Sequence, residues 1–323
     1  MYPRISDLTR DLFGFESPVP LYSFGLMVAL AILVATAMTR VEVDRRFALG
    51  WMKPVRAKVR DDKGREKVQL TSPSALLWNM ALLAGLFGVL GSKLFHIIDY
   101  WDEFVRDPGA MLFSGAGLTI YGGILCAGAA ILYYATKKGV SKLHLADSVA
   151  PGLMLAYGIG RIGCYLAGDG DWGVCSSLAD KPGWIPSWLW SETFPNNFLG
   201  QVDPVVYNAV ERGAQCTLAS PDGVYPTMLY EFAMAAVLAG ILWALRKNPF
   251  KAGWLISLYG VFAGVERFLI ETIRVNPEVA FGLSQSQLIS IGFVLAGLVG
   301  LALTTRRRTD DPTPATEPAA AAS

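Results

Sequence analysis

Long apolar runs constrain this chain more than any other feature of its sequence. Charged residues make up only 17% of its 323 positions, and they fall in short blocks between the apolar runs. A helix needs about 20 largely apolar residues to cross a hydrocarbon core roughly 30 Å thick. The pattern therefore predicts an all-α, polytopic membrane protein with about seven transmembrane helices, at residues 21–39, 74–98, 116–135, 145–160, 226–245, 253–273 and 286–304.

The basic residues predict an orientation. If the N-terminus lies outside, the inner segments hold 19 of the 28 lysines and arginines. Cytoplasmic loops carry such an excess, so we expect the N-terminus outside and the C-terminus inside. The predicted parts are an outer N-terminal segment (1–20), a transmembrane catalytic domain (21–305) and a disordered cytoplasmic tail (306–323). The transmembrane domain includes a basic cytoplasmic loop (40–72) and a large outer loop (161–225). A net charge of +1, without a sustained basic face, predicts no nucleic-acid partner.

Two cysteines, Cys175 and Cys216, fall in the predicted outer loop. A disulfide between them is possible in an oxidising outer compartment. Spacing alone does not fix cysteine pairing, so the pairing stays open at this point.

Several charged residues fall at the ends of predicted spans that face the outer surface. Arg161 closes the fourth span, Glu231 lies early in the fifth, and the sixth ends in a run that contains Arg267, Glu271 and Arg274. Ionisable groups at membrane depth are costly and indicate a functional site. The alternative is that each arginine extends to the headgroups beside a glutamate partner. Arginine is suited to bidentate phosphate binding, and a phospholipid headgroup is the phosphate most available at this depth.

A glycine-rich run spans residues 157–173, with six glycines around one arginine and two aspartates. Glycine lets a backbone or a ligand approach closely, and we interpret the run as a site loop. Packing of small residues between helices is the alternative. It would explain Gly158 and Gly160, but it would not explain Asp169 and Asp171 beside an arginine.

The same run carries a family resemblance. Residues 160–173 resemble a Gly-Arg-x-Gly-Asn-Phe-x-Asn-Gly-Glu motif that ends in an aromatic residue and a glycine, with one extra residue here. Further elements resemble the same family's motifs in the expected order, at 24–27, 120–123, 225–231, 258–271 and 286–290. Together these elements resemble the prolipoprotein diacylglyceryl transferase family over roughly residues 20–305.

The resemblance implies an enzyme of the bacterial cytoplasmic (inner) membrane with an active site near the outer leaflet. Such an enzyme transfers a diacylglyceryl group from phosphatidylglycerol to the thiol of a lipobox cysteine in a prolipoprotein signal peptide. The implied partners are phosphatidylglycerol, these signal peptides and membrane lipids, with no cofactor and no metal. The implied catalytic residues are Arg161, Arg267, Tyr121, Asp169 and Glu271. The implied substrate-binding residues are Arg161, Arg267, Cys164, Gly168, Gly173, Phe24, Tyr259, Tyr230 and Glu231.

Each implied catalytic residue receives an expected role. The two arginines would hold the phosphate and stabilise its developing charge. Glu271 would orient Arg267, and Asp169 would orient Arg161 or contact glycerol hydroxyls. Tyr121 would act as general base or as a hydrogen-bond donor.

The sequence departs from the family pattern at five positions. Tyrosines stand at the positions of two motif histidines, Tyr121 and Tyr225, and Cys164 stands where the motif has asparagine. Asp169 stands where the motif has glutamate, and Phe24 stands where it has tyrosine. The missing histidines leave open a non-catalytic or differently specific lipid-binding protein of the same fold. The Asp169 and Asp171 pair leaves open a metal-dependent lipid or glycosyl transferase, since paired carboxylates hold divalent cations.

Overall fold

The computed structural model describes residues 1–15, 21–60, 66–113, 119–213 and 215–306. Most of these residues are helical, as the apolar runs predict. The α-helices of the described ranges are α1 Ile5–Phe13, α2 Ser23–Ala48, α3 Leu77–Asp99, α4 Trp101–Arg106, α5 Pro108–Phe113, α6 Ile120–Lys137, α7 Lys142–Ala167, α8 Ser187–Trp190, α9 Pro204–Arg212, α10 Thr227–Leu245, α11 Trp254–Glu271 and α12 Gln285–Thr304. Short antiparallel strand pairs join them: β1 Val55–Arg60 with β2 Glu66–Thr71, β3 Cys175–Ser176 with β4 Gly223–Val224, and β5 Glu278–Ala280 with β6 Leu283–Ser284.

The prediction of a helical, polytopic membrane protein is confirmed. Five helices of the described residues are long and apolar enough to cross a membrane, namely α2, α3 with its preceding turn, α7, α10 and α12. Each of the seven predicted runs coincides with a long helix, although residues 116–118 of the third run lie outside the described ranges. The count of seven spans and the outward N-terminus stay predictions, as does the tail, which is described only as far as residue 306.

The fourth span is longer than predicted. Helix α7 has 26 residues and ends at Ala167 rather than at residue 160, so Arg161 lies inside the helix and not in a loop. A Cβ atom on Gly158 would lie 3.0 Å from Cβ of Ala235, and one on Gly163 would lie 3.1 Å from Cβ of Met27. Close helix packing at these glycines offsets their weak helix propensity. The predicted site loop is therefore confined to residues 168–173.

The described residues form two compact units. The first consists of Met1–Ala35 and the chain from Val149 onward. Its helical core is a cluster of small and aliphatic side chains from α7, α10 and α11: Ala150, Met154, Ala235, Ala239, Leu242 and Leu255. A second cluster lies below the loop that follows α7 and is formed by Cys164, Trp172, Phe194, Val224 and Met228. Trp172 is fully buried, so the loop is anchored to the unit by its largest side chain.

The second unit is Thr36–Ser148. Helices α3 and α6 approach closely at Gly91 and Gly122, where a Cβ atom on Gly91 would lie 2.4 Å from the Gly122 carbonyl oxygen. In the predicted basic loop, α2 continues to Ala48 and strands β1 and β2 follow it. Buried Arg46 is paired with Glu42 at 2.7 Å and with Asp147 at 3.3 Å, as a charge at such a depth requires.

The outer loop of the first unit carries a disulfide between Cys175 and Cys216. The structure therefore contains the disulfide that cysteine spacing alone could not decide. It closes a loop of 41 residues, for which a chain-entropy model gives roughly 4 kcal/mol of stabilisation.

We predict that only two of the four cysteines react with a maleimide when the protein is denatured without reductant. After reduction all four should react, and a Cys175→Ser/Cys216→Ser variant should show a lower Tm. A Cys126→Ala variant is the matched control, since it removes one free thiol and leaves the disulfide in place. Four reactive thiols in the unreduced protein would contradict the pairing.

Candidate active site

Four charged side chains of the first unit form a closed ring of alternating sign, which we call the charge ring. Arg161 of α7 contacts Asp171 of the following loop at 2.5 Å and Glu231 of α10 at 2.8 Å. Arg274, three residues past α11, contacts the other oxygens of the same two carboxylates at 2.5 and 3.0 Å. Glu231 is fully buried. Both carboxylates therefore bridge both arginines, and each arginine has lost much of its contact with solvent.

Arg267 lies beside the charge ring. Its Nη2 atom lies 2.6 Å from Glu271, one helical turn further along α11, and 3.0 Å from the Ser286 hydroxyl. Its Nη1 atom lies 4.0 Å from Glu231. Glu271 in turn accepts hydrogen bonds from Asn276 and the Ser284 hydroxyl. The predicted contact between Glu271 and Arg267 is present, and α11 and α12 both help to fix this arginine.

The loop of residues 168–173 places Asp171, and it does so through backbone contacts. Gly170 has a φ of +92°, a conformation that favours glycine, and the chain turns back there toward α7. The Thr227 hydroxyl donates to the Asp171 carbonyl at 2.8 Å, and the Gly173 amide donates to the Tyr225 carbonyl at 2.9 Å.

Of the two roles expected for Asp169, the ion pair with Arg161 belongs to Asp171 instead, and contact with glycerol hydroxyls stays a prediction. After the turn at Gly170, the second aspartate and not the first forms the ion pair with Arg161 of α7. Asp169 instead accepts a hydrogen bond from the Asp171 amide at 3.3 Å.

The two aspartates have opposite electrostatic environments. Burial, followed by the charge of Asp171, raises the pKa of Asp169 to about 6. Burial alone would also raise the pKa of Asp171, but the guanidinium groups of Arg274 and Arg161 hold it well below its ordinary range. The pKa of Arg274 is raised because Asp171 and Glu231 outweigh the effect of its burial. Asp171 and Arg274 are thus held in their charged forms.

Two members of the site received no role from the sequence. The Tyr157 hydroxyl donates to Glu231, and the Tyr157 ring lies 5.0 Å from the guanidinium carbon of Arg161. Glu266 is 3% exposed, and its Oε1 atom has no hydrogen-bond partner among the described residues. The position of Tyr157 gave a signal, since it precedes Arg161 by one helical turn and so shares a helix face with it. Glu266 lies in the same charged run as Arg267, Glu271 and Arg274.

Other predicted residues lie around the charge ring without joining it. Cys164 belongs to the apolar cluster with Trp172, and the Tyr230 hydroxyl donates to the Leu189 carbonyl at 2.6 Å. Tyr259 packs against the core of α7, α10 and α11.

Four more of the predicted residues are glycines or aromatic side chains. Gly168 and Gly173 shape the loop, with a φ of +62° at Gly168. Phe24 packs against Gly163 of α7. Tyr121 is the second residue of α6 in the second unit and is exposed, so its role stays a prediction.

One observation bears on the metal hypothesis. The ligand atoms of Cys164, Asp169 and Asp171 lie within 4.8 Å of one another. Both Asp171 oxygens are held at 2.5 Å by guanidinium nitrogens, so a cation would have to displace two buried ion pairs. Insensitivity of the activity to a chelator is the result we expect, and loss of activity would favour the metal site.

Comparisons with known proteins agree with the motifs. A family model described as prolipoprotein diacylglyceryl transferase matches residues 10–303. Phosphatidylglycerol–prolipoprotein diacylglyceryl transferase 2 of Clostridium perfringens is 30% identical, over 90% of this chain and 91% of that protein. The Clostridium tetani transferase of that name is 29% identical, over 89% of this chain and 93% of its own. The one from Mycobacteroides abscessus is 26% identical, over 91% and 77%.

We predict that Glu231→Gln lowers both stability and activity. The change leaves two buried arginines short of a counter-charge, and breaking a buried ion pair costs about 3–5 kcal/mol. Thermal unfolding in detergent measures the effect. Glu278→Gln is the matched control, because Glu278 is exposed on β5. An unchanged Tm for Glu231→Gln would contradict the charge ring.

A second prediction concerns pH. The folded-state pKa of Asp169 is raised to about 6, above the value of about 3.9 for an unfolded chain. The folded state therefore binds more protons between these values, and the contribution of Asp169 to stability falls as pH rises from about 4 to 6. As pH rises over this interval, the Tm of Asp169→Asn should therefore rise relative to that of the wild type. Each kcal/mol of relative stability corresponds to about 2–4 °C in Tm for a large domain. A Tm difference that is the same at pH 4.5 and pH 7.5 would contradict the shift.

Proposed function

The chain belongs to the prolipoprotein diacylglyceryl transferase family, and we propose that the charge ring with Arg267 binds the phosphate of its lipid substrate. The chain is an enzyme that transfers a diacylglyceryl group from phosphatidylglycerol to a prolipoprotein, as the names of its relatives describe. The proposal concerns which side chains perform this transfer and how.

One observation carries the proposal: two arginines on different helices flank the same carboxylate oxygen and keep unused donors. Oε2 of Glu231 lies 2.8 Å from Nε of Arg161 and 4.0 Å from Nη1 of Arg267. Nη1 of Arg267 is buried and donates no hydrogen bond within the described residues. The contacts described for Arg161 use Nε and Nη1, and none of them uses Nη2. A buried donor without a partner costs about 1–3 kcal/mol, and more when charged. Phosphate oxygens would satisfy these donors.

The transfer requires a phosphate ester to leave. The sulfur of the prolipoprotein cysteine forms a bond to the terminal glyceryl carbon, and the bond from that carbon to the phosphate oxygen breaks. The phosphate gains negative charge as glycerol phosphate departs, and the thiol proton is released. Guanidinium groups held in place by Glu231, Glu271 and Asp171 stabilise that charge without reorganising, which is the larger part of such catalysis. Fixing the phosphate also holds the lipid in line with the sulfur.

The attacking thiol must lose its proton, and the side chains at the motif histidine positions are tyrosines. Burial, followed by the charge of Asp180, raises the pKa of Tyr225, so its hydroxyl keeps its proton near neutral pH and is not a base. We propose that the positive field of the arginines favours the thiolate and that Tyr121 orients the thiol or the phosphate. Unchanged turnover in a Tyr121→Phe variant would remove that residue from the mechanism.

The location of the reaction is part of the proposal. We assign the charge ring to the outer leaflet of the bacterial inner membrane and the second substrate to prolipoprotein signal peptides with a lipobox. The excess of lysine and arginine in the predicted inner segments supports this orientation. The disulfide in the loop after α7 supports it too, because disulfides persist in oxidising compartments.

Complementation tests the function. The chain is expressed in bacterial cells depleted of their own transferase, and a lipobox substrate is analysed by mass spectrometry. We expect the mass of a diacylglyceryl group on the lipobox cysteine. A chain that reaches the membrane but leaves the substrate unmodified would contradict the proposed activity.

We predict that Arg161→Ala and Arg267→Ala each reduce transfer at least 100-fold, since each removes a charge that stabilises the leaving phosphate. Arg161→Lys and Arg267→Lys keep the charge and lose the fork that binds two oxygens. They should fold and still lose most activity. Arg10→Ala, on exposed α1, is the matched control. Near-full activity of a purified Arg267→Ala variant would exclude the phosphate role of this residue.

A further inference from the structure

Helix α9 reaches the charge ring through its last residue, Arg212. Nη2 of Arg212 donates to the Gly170 carbonyl at 2.5 Å, and Nη1 donates to the Val275 carbonyl at 3.0 Å. Gly170 directly precedes Asp171, and Val275 directly follows Arg274. One guanidinium group therefore contacts both backbone segments that carry the ion pair between Asp171 and Arg274, which is 2.5 Å long.

Asn208, one helical turn earlier on the same face of α9, holds the same loop. It is 3% exposed, it accepts a hydrogen bond from the Trp172 indole at 3.0 Å, and it donates to the Gly173 carbonyl at 3.0 Å. Arg212 and Asn208 together contact three of the four consecutive residues from 170 to 173. Helix α9 thus holds the loop that carries Asp171.

Helix α9 is itself held in place at both ends. The Asp203 side chain caps α9 by accepting hydrogen bonds from the Val205 and Val206 amides, a contact worth about 1 kcal/mol. Beyond the end of α9, Cys216 is bonded to Cys175, four residues after Asp171. Both ends of the helix are therefore attached, and displacement of the helix is resisted at each end.

We infer that Arg212 is a positioning residue for the transfer reaction, one that sets the placement of Asp171 and Arg274 without touching either substrate. The inference rests on the proposed function of the charge ring. Both terminal nitrogens of Arg212 are occupied by carbonyl groups, so this arginine is not a third phosphate ligand. Its planar fork spans two carbonyl groups at once, which a lysine ammonium cannot reproduce. If the fork is lost, Asp171 no longer fixes Arg161, and a displacement of about 1 Å near a reacting centre can cost about 100-fold in rate.

The first test is kinetic. In purified Arg212→Ala we expect kcat to fall about 10–100-fold while the KM for a lipobox peptide stays unchanged. Arg212→Lys should recover little of the loss, and added guanidinium at non-denaturing concentration should recover more than methylammonium does. Arg246→Ala is the matched control, since Arg246 also donates to a backbone carbonyl, that of Trp243, at the far end of α10. An Arg212→Ala variant with wild-type kcat would overturn the inference.

Coupling identifies the route of the effect. If Arg212 acts through the charge ring, combining Arg212→Ala with Asp171→Asn should lower kcat by clearly less than the product of the two single effects. Effects that multiply would show that Arg212 acts elsewhere, and they would overturn the inference.

A second readout does not depend on activity. The Gly173 and Val174 amides donate to the Tyr225 and Ile273 carbonyls, so their hydrogen exchange reports the placement of the loop. Arg212→Ala should speed exchange at these amides and leave α10 and α11 protected. Unchanged exchange at both amides would overturn the inference even if the wild type transfers lipid. A wild type that fails to transfer lipid would contradict the proposed function alone.

Discussion

Pairing of buried arginines with buried carboxylates is the constraint on which the first unit depends. An isolated charge in such surroundings costs several kcal/mol, so each arginine of the charge ring must find a carboxylate from another element. Arg161 comes from α7, Glu231 from α10, Asp171 from a loop and Arg274 from the end of α11. Satisfying all four at once fixes the separation of three helices and the path of the loop between them.

Stability alone does not explain such an arrangement. Replacing a buried ionic network by well-packed apolar side chains is often neutral or stabilising, and small apolar residues already fill the core of α7, α10 and α11. What the ionic network adds is a set of guanidinium groups held in fixed positions, with donors still unused on Arg161 and Arg267. A site of this kind suits an anion whose charge grows during a reaction. The phosphate of the lipid substrate is such an anion.

How far the sequence predicts this site depends on the range of the interactions involved. Apolar runs and the spacing of Arg267 and Glu271 are local features. The runs correctly predicted helices, and the spacing correctly predicted an ion pair. The apolar run predicts that the fourth span ends at residue 160, but α7 continues to Ala167. Gly158 lies inside the helix because it packs against Ala235, and the local sequence does not show that contact. The motif favours Asp169 over Asp171 as the residue that orients Arg161, whereas the structure pairs Arg161 with Asp171. The turn at Gly170 that places Asp171 depends on residues distant in sequence, such as Arg212. The support from α9 lies outside every motif, and only the fold reveals it.

The most direct test of the central claim is a structure of the chain in a bilayer that contains phosphatidylglycerol. The account predicts lipid phosphate oxygens about 2.7–2.9 Å from Nη2 of Arg161 and Nη1 of Arg267, with the ion pairs of the charge ring intact. A phosphate bound away from both nitrogens, or a charge ring opened to admit a cation between Asp169 and Asp171, would contradict it.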